Sequence, residues 1–287
     1  MSAPDGLLVV DKPAGWTSHD VVGRVRRLAG TRKVGHAGTL DPMATGVLVL
    51  GIGRATRLLG HLALTDKVYD ATIRLGATTV TDDAEGELVE QRDARAVTGD
   101  QLAAAMAALT GDLQQVPSSV SAVKVDGVRS YARVRAGQSV ELAARPVTVS
   151  RFELRERRGD HLDVTVECTS GTYVRALARD LGQALGVGGH LTALRRTRVG
   201  PFTLEQSRTL DQAAESLGVL PLDAAVAACF PQRRLTEDEA AALSHGKRLA
   251  ASGRVGALGA FAPDGRCIAL VEDRADAARP LVVFVPA

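Results

Sequence analysis

The apolar residues of this chain come in short bursts closed by glycine or proline, and no burst approaches the roughly 18 residues needed to span a bilayer. That pattern restricts the fold to short strands and amphipathic helices around a core, and membrane insertion is not needed to explain it. "GLLVVDKPAG" reads as a strand stopped by Pro13 and Gly15, and "GVLVLGIG" as another. Between them, Ser18 is placed to cap a helix whose apolar positions Val21, Val22, Val25 and Leu28 keep helical spacing.

Further along, "KVYDATIRLG" predicts a strand ending at Gly76, and "TGDQLAAAMAALTG" a capped, alanine-rich helix. "RPVTVSRFELRER" and "HLDVTVECT" read as a strand pair joined at Gly159 and Asp160. "TYVRALARDLGQALG" follows as an amphipathic helix with Val174, Leu177, Ala178, Leu181 and Leu185 on one stripe, and Arg175 outside it. Strands and helices interleave without regular βα alternation, which points to a large α+β fold rather than a doubly wound one. The texture changes at "CFPQRRLTEDEAAALSHGKRL", placing a boundary near Pro231 and dividing the chain into 1–230 and 231–287. The second part is small for an independent core and is expected to pack on the first.

Cys168, Cys229 and Cys267 are far apart and lack the spacing of a zinc site or redox dithiol, so buried reduced thiols are expected. The opening "MSAPDGLLVVDKP" lacks the basic start and long apolar region of a signal peptide, so the expected location is the cytoplasm. The formal net charge of +2 does not announce a nucleic-acid binder, but the distribution is uneven. Arg24, Arg26, Arg27, Arg32 and Lys33 form one cluster, and Arg195, Arg196 and Arg198 a second. The plain reading of either alone is a solvated face, but two clusters flanking candidate active-site segments are harder to dismiss.

The first cluster leads into "GHAGTLDPMATG", where a lone acid, Asp41, stands before Pro42 among Gly35, Gly38 and Gly46. No Gly-Lys-Ser/Thr ending makes this a phosphate loop, and "GIGRAT" lacks the third glycine of a dinucleotide fingerprint. No serine sits in a nucleophile elbow, and the six histidines are scattered singly, so neither a hydrolase triad nor a metal site is indicated. Two readings of Asp41 stay open: an N-cap with proline at the first helical position, or a catalytic acid that a large substrate approaches because glycines keep the backbone uncrowded.

"LLVVDKPAGWTSHDVV", "RKVGHAGTLDPMATGVLVLGIGRATR", "KVYDATIRLG", "VPSSVSAVKVDGVRSY", "SGTYVRALARDLG" and "LRRTRVGPF" resemble, in order, the successive signatures of the TruB-type bacterial tRNA pseudouridine synthases. The resemblance runs from about residue 7 to about residue 210, and the last segment is similar to a small PUA-like RNA-binding domain. It implies a catalytic domain with a central, mostly antiparallel mixed sheet flanked by helices, and isomerisation of the T-arm uridine, position 55, to pseudouridine. The N1–C1′ bond breaks, the base rotates and C5 bonds to C1′. The reaction is redox-neutral and requires no cofactor.

By the same resemblance Asp41 is the essential acid, acting either as nucleophile at C1′ or as base at C2′, with Arg175 as its partner. Tyr69 stacks on the base and acts in removing the C5 proton; Tyr173 lines the pocket and Leu194 forms its floor. The base must leave the RNA stack, and His36 packs where it left. Lys12 and Pro13 support the loop. A thumb-like insertion at about 117–140 grips the RNA, with Lys124, Arg129, Arg133 and Arg135 on phosphates, contacts that position RNA rather than specify it. The expected partner is the tRNA T-arm stem-loop, with no membrane, no obligatory protein partner and a monomeric enzyme. The competing reading is an RNA-binding or tRNA-folding protein with catalysis secondary or absent. It has no use for Asp41 among glycines together with Tyr69 and Arg175.

Overall fold

The computed structural model describes residues 4–118, 124–125, 128–129 and 142–287. In chain order its first elements are β1 (Gly6–Lys12), α1 (Ser18–Leu28), β2 (Val34–His36), β3 (Thr45–Ile52), a 3-10 turn at Gly53–Leu58, and α2 (Leu59–Leu62). Next are β4 (Lys67–Leu75), β5 (Ala77–Thr79), β6 (Leu88–Gln91), α3 (Gly99–Ala108), β7 (Gly111–Gln115), and the short β8 (Lys124–Val125) and β9 (Val128–Arg129). β10 (Arg145–Arg158), β11 (His161–Cys168), α4 (Val174–Ala184), β12 (Gly189–Val199), β13 (Phe202–Thr203), α5 (Leu210–Glu215), β14 (Leu220–Pro221) and α6 (Leu222–Cys229) complete the first part. β15 (Gln232–Arg234), α7 (Glu237–Ser244), β16 (Leu249–Ala250), β17 (Ala257–Phe261), β18 (Cys267–Arg274) and β19 (Ala277–Val283) finish the chain.

The fold is α+β. A ten-stranded sheet runs β14-β1-β3-β12-β4-β11-β10-β7, with β13 on β12 and β2 on β3. Every pairing in it is antiparallel except β12 with β3. β1 is buried on both faces, which explains its unbroken apolar run. Leu8 and Val10 face one core with Val21, Val22 and Val25 of α1 and Leu177 and Leu181 of α4. Leu7 and Val9 face a second core with Phe261, Leu270 and Phe284.

β15-β17-β18-β19-β16 form a separate five-stranded sheet with its own cluster around Leu243, Leu258 and Val271. This module packs on the large sheet through the second core. Arg54 Nη1 also donates to the Phe284 carbonyl (3.2 Å) and Arg57 Nη1 to the Val283 carbonyl (2.7 Å). No helix among the described residues is long and apolar enough to cross a membrane.

Three local expectations are corrected. Thr17, not Ser18, caps α1, its hydroxyl accepting from the Asp20 amide while Asp20 accepts from the Thr17 amide. Asp41 caps no helix: Pro42 occupies a single turn closed by Ala44 N donating to Asp41 O at 3.1 Å. "LRRTRVG" is not a solvated basic face but part of the central strand β12. Arg195 pairs there with Asp11 (2.7 Å), Arg198 with Glu167 (2.6 Å), and Arg196 is buried.

Candidate active site

The loop between β2 and β3 is held from several sides. Ser18 Oγ accepts from Leu40 N (2.9 Å) and donates to Leu40 O (3.1 Å). Gly15 N donates to Pro42 O at 2.9 Å, and the buried Lys12 Nζ donates to the carbonyls of Pro13, Trp16 and Pro42 at 2.8, 2.7 and 3.2 Å. Burial pushes the Lys12 amine down to about 8, against the pull of Asp41 and Glu85. At the loop's exit Gly46 has φ +101°, and a Cβ there would lie 2.2 Å from the Arg196 carbonyl oxygen, so the position needs glycine twice over.

These restraints present Asp41 to the start of α4. Arg175 Nε meets Asp41 Oδ2 at 3.0 Å, and Nη1 meets Asp83 Oδ2 at 3.3 Å and the Thr81 carbonyl at 2.9 Å. The Arg175 and Asp83 side chains are 6% and 4% exposed, whereas Asp41 keeps 36%, so only one of the two acids flanking the guanidinium is open to a ligand. Asp83 is further held by the Thr81 hydroxyl and the Glu85 amide (3.0 Å). Burial raises the Glu85 carboxyl above its ordinary value, with Asp83 and Asp41 adding to it. Tyr173, just before α4, is fixed by the Gln115 side-chain amide, which accepts from Tyr173 N (2.8 Å) and donates to Tyr173 O (3.2 Å).

Asp41, Tyr69, Tyr173, Arg175 and Leu194 line one cavity of about 270 Å³, near the lower end of small-ligand pockets, roughly 300 Å³. Lys67 and Arg196 line it too. Lys67 Nζ donates to Ala63 O (3.0 Å) and Thr65 O, and burial, reinforced by Arg196, pushes it down to about 8. Burial raises the Tyr69 phenol, with Arg196 opposing. A roomier cleft of about 620 Å³ shares Leu194, but its acids are already paired: Asp70 with Arg155 (3.1 Å) and the Thr165 hydroxyl (2.8 Å), Asp163 with Arg158 and the Thr72 hydroxyl (2.7 Å).

His36 does not line the 270 Å³ cavity. It sits in β2, edge-on to His19 with ring centroids 5.6 Å apart, and its Nδ1 is buried without a hydrogen-bond partner among the described residues. Burial, then His19 and Arg196, lowers its proton affinity. The side chains of Lys124, Arg129, Arg133 and Arg135 lie outside the described residues, as does most of the 117–140 insertion. Asp83, Lys67 and Gln115 escaped sequence reasoning because no local pattern separates them from surface polar residues.

The overall architecture is shared with solved ribonucleoprotein components. A solved H/ACA RNP bound to a substrate RNA containing 2′-deoxyuridine matches with a TM-score of 0.76 and 26% identity, covering 100% of this chain and 87% of that one. A Cbf5-Nop10-Gar1 complex matches with a TM-score of 0.78 at the same identity and coverage. Sequence models of the TruB family pseudouridylate synthase N-terminal domain, the tRNA pseudouridylate synthase B C-terminal domain and the tRNA pseudouridine synthase II C terminus match residues 26–174, 175–227 and 230–285. The chain belongs to the TruB family of pseudouridylate synthases. Proteins named tRNA pseudouridine synthase B from Arthrobacter sp. strain FB24 and Thermobifida fusca strain YX are 63% and 62% identical to it. Each alignment spans 98% of this chain, with 97% of the first relative and 98% of the second.

Proposed function

We propose that this protein isomerises uridine to pseudouridine in tRNA, at the T-arm position 55, with Asp41 as the essential acid. One observation carries the assignment: of the two carboxylates paired with the buried Arg175 guanidinium among the described residues, the more exposed one, Asp41, lines a cavity of about 270 Å³. A uridine reaches it by leaving the stack, at a cost of a few kcal/mol. Tyr69 and Leu194 enclose the base, Tyr173 and Arg175 hold the sugar side, and Asp41 either attacks C1′ or takes the C2′ proton as the N1–C1′ electron pair leaves with the base. Arg175 supports Asp41 in either course.

The reading extends to the parts of the chain away from the cavity. Residues 1–230 form the synthase domain and 231–287 a PUA-like RNA-binding module. His36 packs against the RNA where the base departed, and Lys124 and Arg129 contact phosphates. The reading includes a monomer acting without an obligatory protein partner, in the cytoplasm. Incubation with unmodified tRNA, followed by mapping of pseudouridine by position, tests the assignment. Product at position 55 is expected, product elsewhere reassigns the substrate, and no product favours an RNA-binding or tRNA-folding protein.

A further inference from the structure

Arg196 is 1% exposed, and among the described residues no carboxylate lies within ion-pair distance of it. Its Nε donates to Val47 O (2.7 Å), Nη2 to Gly38 O (3.0 Å) and Nη1 to Thr39 O (3.4 Å), and it lines the cavity together with Tyr69. Its backbone pairs with Gly46 on one side and with Tyr69 on the other. One rigid plane therefore ties both ends of the Asp41 loop to the cavity wall that carries its cross-strand neighbour Tyr69. An apolar side chain of similar length would fill the space with less desolvation; what a guanidinium adds is several donors at fixed angles.

The proposed reaction has a step that needs this geometry. Once C5 has bonded to C1′, it still carries its original hydrogen. That hydrogen leaves as a proton to the Tyr69 phenolate oxygen. The C–H electron pair becomes the C5=C6 bond, the displaced pair moves to N1, and N1 takes a proton from water. Tyr69 then returns its proton to water.

Resting on the reading of this cavity as the synthase site, we propose that Arg196 is a positioning residue for C5 deprotonation: it registers the Tyr69 hydroxyl against the Asp41 loop so that the phenol oxygen faces C5 while C1′ lies at the carboxylate. Burial, Cys168 and Asp41 all disfavour the phenolate, and Arg196 opposes them.

The test compares wild type with Arg196→Lys and Arg196→Gln on T-arm RNA carrying protium or deuterium at uridine C5. Slowing the proton transfer should lower kcat about 100-fold, the scale of a general-base contribution. KM should stay within about threefold, and the C5 isotope effect on kcat should exceed that of wild type. A lowered kcat with an unchanged isotope effect makes Arg196 a residue of the fold alone and overturns the proposal; an unchanged kcat does the same. Where both variants fail to fold, arginine side-chain ¹⁵N spectra of wild type and Tyr69→Phe decide it. One guanidinium resonance should move, and none moving refutes the coupling. Turnover by Asp41→Asn in the same assay overturns the reading of the cavity itself, an outcome distinct from the isotope result.

Discussion

The two carboxylates on Arg175 should separate into one that matters for chemistry and one that matters for stability. Asp83 is 4% exposed and is held by the Thr81 hydroxyl, the Glu85 amide and Arg175. Removing one member of a buried ion pair costs roughly 3–5 kcal/mol. Asp83→Asn keeps the volume and leaves Arg175 paired with Asp41, so the loss should be nearer 2–3 kcal/mol. At roughly 2–4 °C per kcal/mol for a chain this large, Tm falls by about 4–12 °C. Asp41 is more than a third exposed and its removal leaves Arg175 with Asp83, so Asp41→Asn should cost at most about 1 kcal/mol. That variant should nevertheless lose all tritium release from [5-³H]uridine in a T-arm stem-loop, with RNA binding kept within about tenfold, roughly 1.4 kcal/mol. Calorimetric scans beside the tritium assay test both halves. Equal Tm losses in the two variants, or turnover by Asp41→Asn with deamidation excluded, would refute the reasoning.

Other consequences are open to simple measurement. Lys12 and Lys67 are both held near 8 instead of 10.5, so between those values the unfolded chain binds protons that the folded one does not. Their contribution to stability therefore rises with pH across that window and is flat below it. Urea midpoints at pH 7 and 9.5 should show a smaller gain in Lys12→Met than in wild type, and an equal gain would contradict the burial of this amine. Gly46→Ala meets both a positive φ and the Arg196 carbonyl, whereas Gly15→Ala, at φ +79°, meets nothing within 4 Å. Gly15→Ala should cost about 1–2 kcal/mol and Gly46→Ala distinctly more; equal melting temperatures would count against the close approach. Burial pushes the thiols of Cys168, Cys229 and Cys267 up to about 11, 12 and 12. The native protein at pH 8 should thus react slowly with a maleimide, and rapid labelling of any of the three would show an exposed thiolate.

The α+β class and the strands β1, β3, β4, β10 and β11 were legible because their apolar or alternating runs end at glycine, proline or a turn pair. β12 was not: "LRRTRVG" alternates buried with half-buried arginines, and only its place between β3 and β4 supplies the carbonyls and acids that make burial tolerable. Asp41, Tyr69, Tyr173, Arg175 and Leu194, from separate segments of the sequence, line one cavity, while His36 lies outside that lining beside His19. The capping reading of Asp41 failed because the tripeptide "LDP" encodes a start but not a helix to follow. Loop closure onto Lys12, Ser18 and Gly15 limited the local order to one turn. Asp83 lies beyond sequence reach for a related reason: its partners Thr81 and Glu85 are local, but the cation they jointly hold comes from α4.

The position of β12 bears on how the protein comes into being. Asp41 and Tyr69 are near neighbours in sequence, yet the strand that joins their supports in the sheet emerges from the ribosome long after both, and the strand β14 that covers the edge of β1 follows later still. No fragment that ends before β12 contains the whole cavity lining, so shorter nascent chains carry the acid without the geometry that would use it. The cavity wall is thereby complete only once β12 has been made.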